Sequence, residues 1–350
     1  MFSPSLMSAS TESFSDNLAR LAEAAEHADA IVVGAGAGLS TAAGFTYSGV
    51  RFERHLAPWE ARYGFADMYA GGFHPYDTLE EYWGFWSRNA LVNRYLTADA
   101  PSTLPCASER EASTDANRST GVAAGTPEAN ASRDTGVAAD TPEANPLYRK
   151  LVKLLDGHDH FVITTNVDHQ FQLAGIERER LYYMQGDYGL FQCSDPCHEA
   201  TYDNELQVRA MVDAVNDKIA RQRAAGIPEH LLDLSIPSEL VPRCPRCGKP
   251  MSMNLHADAT FVVDAGNRLA HERYRIFLDE HRRGNVLYLE LGVGFNTPGI
   301  IKYPFWEMAQ RNHRAMLASV NMGEVVAPAA LGSRAILLNG DIASVIDALA

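Results

Sequence analysis

Three groups of residues in this 350-residue chain have types and spacings that could do chemistry. The first is Gly34-Ala35-Gly36-Ala37-Gly38-Leu39-Ser40, directly after the apolar run Ala30-Ile31-Val32-Val33. Glycines at the end of a strand let the chain turn sharply, and they let amide N–H groups approach a diphosphate at a helix N-terminus. Alone, such a loop is a weak signal and reads as a tight strand-to-helix turn; after the first strand of an α/β chain, a dinucleotide site stands level with that turn. The second group is Asn166-Val167-Asp168 at the end of the apolar run Phe161-Val162-Ile163. If the strand persists, Asn166 and Asp168 share one side of it. They read either as polar caps at a strand–helix junction or, beside the glycine loop, as part of a ligand site. The third is Cys193-x3-Cys197 with Cys244-x2-Cys247. Two close thiol pairs fit a four-sulfur tetrahedral zinc site, with His198 a weaker substitute ligand. Four thiolates leave no open position, so that metal is structural.

These groups must be positioned by elements the sequence also suggests. Residues 11–29 carry a helical apolar stripe, and Tyr76–Leu96 reads as one long, mostly buried helix. Helices are expected at 147–155, 204–223, 268–281 and 300–311, and strands at 160–166, 180–187, 285–294 and 314–321, before a final strand-plus-helix unit. Strands apolar on both faces, alternating with helices, indicate a mostly parallel sheet covered on each side. Residues 97–145 differ in kind. ANRSTGVAAGTPEAN (116–130) is followed at once by ASRDTGVAADTPEAN (131–145), with nothing large to bury. That composition predicts a flexible insertion without a catalytic role, and Cys106 within it an incidental thiol. Lys+Arg number 30 against 44 Asp+Glu, a net charge of −14, which argues against nucleic acid or an anionic membrane as partner. The N-terminus lacks a signal-peptide pattern and no apolar run is long enough to span a bilayer, so a cytoplasmic enzyme is expected. An ordinary NAD dehydrogenase is disfavoured, because Glu53 and Glu60 sit in no strand pattern that would offer a ribose-binding acid.

In order along the chain, the motifs resemble those of the sirtuin (Sir2) family. GAGAGLSTAAGFTYSGVRF resembles its cofactor loop, ITTNVDHQF its Gln-Asn-Ile-Asp signature, and MQGDYG its His-Gly. CSDPC and CPRC resemble its zinc ribbon, LGVGFNTPG its Gly-Thr-Ser strand end, ASVN its ribose-binding Asn, and NGDIASVIDAL its terminal Gly-Asp segment. Apart from the insertion, the resemblance spans nearly the whole chain. Gln185 replaces the family's catalytic His, Thr165 precedes Asn166 in place of Gln, and FTYSGVRF replaces Ile-Pro-Asp-Phe-Arg. That combination is similar to the macrodomain-linked class of microbial sirtuins, which act as protein ADP-ribosyltransferases.

The resemblance implies a Rossmann-like, six-stranded, mostly parallel sheet with helices on both faces and a smaller inserted zinc-ribbon and helical module. The NAD-binding domain would comprise 11–96, 146–190 and 284–350, and the module 191–283. It implies NAD as cosubstrate, held by Gly34, Ala35, Gly36, Ala37, Gly38 and Ser40, with Gly292, Gly294, Asn296, Asn321, Asp341 and Ile342 on the adenosine half. Asn166 would order ribose and water, Val167 and Asp168 would hold the carboxamide, and Tyr47, Arg51 and Phe52 would form a flexible loop shielding the reactive carbon. Zinc would take Cys193, Cys197, Cys244 and Cys247. The acceptor would be a lipoylated, glycine cleavage H-like carrier protein, and a macrodomain hydrolase would reverse the mark. Deacylation needs a base for a ribose hydroxyl, which imidazole supplies and the Gln185 amide does not. Nicotinamide departure does not need that base, so ADP-ribosyl transfer survives the exchange. The alternatives are a deacylase with another base, an NAD glycohydrolase or NAD sensor, and a non-enzymatic zinc module. His169, the nearest substitute base, reads as an ordinary histidine.

Overall fold

The computed structural model describes residues 5–8, 13–105, 143–323 and 325–350. Cys106 and most of the tandem repeat lie outside the described residues. In chain order the strands are β1 (Leu6–Ser8), β2 (Ala30–Ala35), β3 (His160–Thr164), β4 (Leu181–Tyr183), β5 (Gly186–Cys193), β6 (Tyr202–Asp203), β7 (Met251–Leu255), β8 (Val286–Leu291), β9 (Met316–Asn321), β10 (Val326–Pro328) and β11 (Ala335–Asn339). The helices are α1 (Phe14–Glu26), α2 (Ala37–Ala42), α3 (Val50–Tyr63), α4 (Met68–Gly72), α5 (Leu79–Ala90), α6 (Pro146–Leu155), α7 (Gln170–Leu173), α8 (Glu205–Ala224), α9 (Ala265–His281), α10 (Lys302–Arg311) and α11 (Ile342–Leu349).

The chain divides into two compact units, the first comprising Met1–Phe45, Glu143–Asp187 and Asp264–Ala350. Its core is a six-stranded sheet in the order β11-β9-β8-β2-β3-β4, with every neighbouring pair parallel. All six residues of β2 are buried, as a central strand covered on both faces requires. Val32, Phe161, Tyr288 and Leu317 on one face pack against Tyr274 and Phe277 of α9 and Phe305 and Trp306 of α10. By the pleat, Ile31 and Val33 face the opposite way. Ala35 sits opposite both Thr164 and Leu291, so the strand ends of β2, β3 and β8 are level. Their loops, beginning at Gly36, Thr165 and Gly292, therefore leave one edge of the sheet side by side. In open parallel sheets, the carboxyl ends of strands that run to opposite sides of the first are where ligands bind.

The second unit comprises Thr46–Pro142 and Tyr188–Val263. It contains a small sheet in the order β6-β5-β7 and the helices α3, α4, α5 and α8. Helix α5, capped by Thr78, continues into a π-helical turn at Leu91–Tyr95, so the aromatic segment is helical but over a shorter span than 76–96. Gly84 admits the Leu234 carbonyl against α5; a Cβ there would lie 2.0 Å from that oxygen.

This division corrects the sequence-based boundaries. Residues 46–96, expected with the nucleotide-binding part, group with the second unit, where α5 packs on α8. Helix α9, expected in the zinc module, belongs to the first because Ala270, Tyr274 and Phe277 form a stripe against the sheet. The segment 180–187 is not one strand. Gly186, at φ 92°, turns the chain from β4 into β5, which belongs to another sheet.

Candidate functional site

The glycine loop is built by backbone packing on the loop after β8. Gly36 N–H donates to the Leu291 carbonyl and Gly38 N–H to the Gly292 carbonyl, both at 3.0 Å. A Cβ on Gly36 would lie 2.6 Å from Gly292 O, and one on Gly38 2.6 Å from Gly292 Cα. Gly292 itself has φ +64°, and a Cβ there would meet Leu39 N at 2.3 Å. Three glycines thus let two main chains touch, which side chains would forbid. Gly34 has a different task, since a Cβ would strike Ile301 of the α10 approach at 2.4 Å. Gly34, Ala35 and Ile342 are buried. Ala37, Gly294 and Asn296 are exposed, and nothing lies within 4 Å of a Cβ built on Gly294.

Strand β3 ends at Thr164, so Asn166 and Asp168 stand in the following loop rather than on one side of a strand. That corrects the reading from spacing. The loop is fastened to the glycine loop instead. Asn166 Nδ2 donates to the Gly36 carbonyl at 3.0 Å and to the Tyr148 hydroxyl at 3.4 Å, which leaves its Oδ1 to accept from a ligand. Asp168 Oδ2 accepts from Ser40 Oγ at 2.5 Å and from Tyr148 OH at 3.4 Å, while Oδ1 accepts from Gln170 N–H at 3.1 Å. Burial pushes the Asp168 carboxyl up, opposed by the Ser40 and Gln170 hydrogen bonds and reinforced by nearby Asp187. Tyr148, buried beside that carboxylate, is held well above the usual phenol range. Ser40 and Tyr148 also bond each other at 3.1 Å. The loop can therefore offer one free amide oxygen and a carboxyl group fixed in place.

Gln185 occupies the turn between β4 and β5, half-buried. Its amide has no protein hydrogen-bond partner among the described residues, so both ends are open to a ligand. Two residues on, Asp187 is buried and bonds His169 Nδ1. His169 is not an ordinary surface histidine; it is an ordered partner of a buried acid. Asn321 ends β9, and its Oδ1 lies 3.2 Å from where a Cβ on Gly38 would be. Asp341 is committed to capping α11, accepting from Ala343 N–H, Ser344 N–H and Ser344 Oγ; burial pushes its carboxyl up, but the Ser344 and Ala343 hydrogen bonds together outweigh that and hold it low. The first unit thus gathers Gly36, Gly38, Ser40, Asn166 and Asp168 into one bonded group, with Gly292 and Asn321 against it.

Tyr47, Arg51 and Phe52 belong to the second unit. Arg51 and Phe52 lie inside α3 and are buried, which corrects the expectation of a flexible loop. The Arg51 guanidinium donates to the Thr46 and Val92 carbonyls and to Asn93 Oδ1 at 2.8–3.0 Å. Gly49, at φ +67°, ends the Thr46–Ser48 approach and starts the helix early. Tyr47 OH lies 2.7 Å from Tyr188 OH. Sequence reading did not single out Tyr148 or Asp187. Tyr148 reaches Ser40 and Asp168 from 108 and 20 residues away, and no local pattern announces that.

The cysteines are also in the second unit. Ligand sulfurs of Cys193, Cys197, Cys244 and Cys247 lie within 4.8 Å of one another, with the pairs Cys193–Cys247 at 3.6 Å and Cys197–Cys244 at 3.7 Å. A tetrahedron of sulfurs about 2.3 Å from zinc has edges of roughly 3.8 Å, so the donor set fits the metal. The Cys247 thiol is lowered to about 7, chiefly by the Lys249 backbone N–H. Cys197 is pushed up to about 12 by desolvation and its sulfur neighbours. Clustered thiolates repel, and a divalent cation removes that conflict.

No family model matches the chain. It is 33% identical over 327 residues to a protein named "Protein ADP-ribosyltransferase" from Staphylococcus aureus, covering 93% of this chain and 84% of that protein. It is 26% identical over 304 residues to a "Probable bifunctional ADP-ribose hydrolase/ADP-ribosyltransferase" from Fusarium oxysporum f. sp. cubense, covering 85% of this chain and 41% of that protein. Among solved structures, one titled "Sir2 bound to acetylated peptide" aligns with TM-score 0.46 and 19% identity, covering 95% of this chain and 96% of that one.

Proposed function

The chain belongs to the protein ADP-ribosyltransferase family, and from that premise we propose that it transfers ADP-ribose from NAD to a lipoylated, glycine cleavage H-like carrier protein, releasing nicotinamide. The observation that carries this reading is Gln185: an open amide stands where the sirtuin resemblance places a base, beside a loop that binds Asn166 and Asp168 to the glycine turn. Asn166 Oδ1 and the Gln185 amide orient the ribose by hydrogen bonds. Asp168, locked by Ser40 and Tyr148, keeps the Asn-x-Asp loop in one shape. The Gly36–Gly292 contact brings backbone close to the dinucleotide phosphates. NAD itself supplies the cationic nicotinamide leaving group. With no base at position 185, a ribose hydroxyl keeps its proton, and the electrophilic carbon is captured by an external acceptor.

The four-sulfur cluster would hold zinc in a closed, structural site. A macrodomain hydrolase that removes the mark is proposed as a functional partner; the Fusarium relative's name joins a hydrolase and a transferase. No helix among the described residues is long and apolar enough to cross a membrane, and we propose a cytoplasmic setting. Incubation with labelled NAD and a lipoylated carrier tests the reading: label and one ADP-ribose mass appear on the carrier. Free ADP-ribose alone would identify a glycohydrolase instead.

A further inference from the structure

Glu290 of β8 and Lys302, the first residue of α10, form an ion pair inside the first unit, their side chains 0% and 1% exposed. Lys302 Nζ donates to Glu290 Oε2 at 2.7 Å, and Ser319 Oγ of β9 donates to the same oxygen at 3.0 Å. Glu290 Oε1 is buried with no partner among the described residues. Burial pushes the Glu290 carboxyl up, opposed by Lys302 and Ser319. Exchanging such a pair for apolar side chains of similar volume is often neutral or stabilising, so stability alone does not account for it. Its ends stand at telling places. The pair closes residues 291–301 into a loop that holds Gly292, Gly294 and Asn296. In register, Glu290 lies between Gly34 and Ser319; two residues further along the three chain paths stand Gly36, Gly292 and Asn321, which surround the glycine turn. Between Val293 and Ile301 no side chain is fully buried, so little apolar packing fixes the loop. Its Phe295 ring is held instead by the Lys302 ammonium, which lies 5.2 Å from that ring's centroid and 5.7 Å from the Trp306 centroid.

We propose that Glu290 and Lys302 are positioning residues for the dinucleotide: the buried pair keeps the 291–301 loop in its binding shape, and losing it weakens binding without unfolding the chain. This rests on the reading above that NAD is the cosubstrate. Glu290 ties Lys302 to the sheet, and Lys302 holds Phe295. The loop is thereby kept where Gly292 packs on Gly36 and Gly38, with Gly294 and Asn296 exposed. Neither charged side chain is exposed, so neither touches the ligand. A loop that visits other shapes binds in proportion to the time it spends in the competent one. Loosening it therefore raises the apparent dissociation constant and KM and leaves the chemical step unchanged.

The test combines Glu290→Leu with Lys302→Met in one full-length chain, which keeps the volume and removes both charges. Either replacement alone strands a charge in the interior and should destabilise strongly, so the double variant decides. Melting temperature, calorimetric affinity for ADP-ribose, KM and kcat for nicotinamide release from NAD, and backbone hydrogen exchange are compared with wild type. ADP-ribose is the binding probe because it keeps the adenosine and diphosphate and has no nicotinamide to lose. Expected are a melting temperature no lower than wild type, a dissociation constant and KM raised about tenfold or more, and kcat close to wild type. Exchange should quicken across 291–301 and stay unchanged in β8 and β9. Wild-type ADP-ribose affinity, or wild-type exchange across the loop, would overturn the proposal. So would a double variant that melts well below wild type, which would assign the pair to stability. If the wild type binds ADP-ribose but leaves a lipoylated carrier unmodified, the transfer reading fails, and the pair is still judged by affinity and exchange. A wild type that binds neither NAD nor ADP-ribose overturns both.

Discussion

Under the proposed function, Asn166 and Gln185 act as amides, groups that would hold a ribose by hydrogen bonds and move no proton. Replacing Asn166 by Ala removes the bond to the Gly36 carbonyl and the free Oδ1; transfer should fall at least 10²-fold while the far-ultraviolet spectrum is unchanged. Gln185→Ala should do the same without loss of stability, because its amide bonds no described residue. Transfer at the wild-type rate in either variant would remove that residue's role. The residue types at 166, 168 and 185 were legible in the sequence. The Ser40–Tyr148–Asp168 network was not, because its members come from three elements that only the sheet brings together.

Elements set which glycines matter, and two in the same loop should behave oppositely. Gly292→Ala meets Leu39 N at 2.3 Å and sits at φ +64°, so it should destabilise the chain by about 2 kcal/mol or more and weaken NAD binding. Gly294→Ala meets nothing within 4 Å and should change unfolding free energy by less than about 0.5 kcal/mol. Equal effects in denaturant titrations would contradict the packing account. The sequence marked both as turn glycines; only the neighbouring backbone tells them apart. It likewise showed the order of strands and helices, because fully apolar runs mark buried parallel strands. It misjudged α3, where Arg51 and Phe52 look like loop residues until the helix buries them. On that helix, burial lowers the His55 imidazole to about 4, with Arg51 adding to the effect. A folded pKa below the unfolded value means stability is full above about pH 6.5 and declines as pH falls towards 4. Unfolding free energy should drop by roughly 2 kcal/mol between pH 7 and pH 5, and His55→Gln should remove most of that drop. An unchanged difference in the variant would place the acid sensitivity elsewhere.

At the scale of the molecule, the parallel sheet of the first unit brings three loops out level at one edge, and the second unit collects the four sulfurs. Cys244→Ser should lower zinc content and solubility together; a folded, metal-free variant would contradict a structural zinc. The tandem repeat at 116–145 is expected to be dispensable, so a chain lacking 116–142 should transfer ADP-ribose at the wild-type rate. Under the proposed function, an amide at position 185 in place of a base leaves ADP-ribosyl transfer and removes acyl cleavage. This is tested most directly by offering one preparation NAD with either a lipoylated carrier or an acyl-lysine peptide, and weighing the products by intact mass. Carrier bearing ADP-ribose, with no O-acyl-ADP-ribose from the peptide, is the outcome expected of this reading. O-acyl-ADP-ribose formed at enzyme-like rates, with the carrier unmodified, would contradict it.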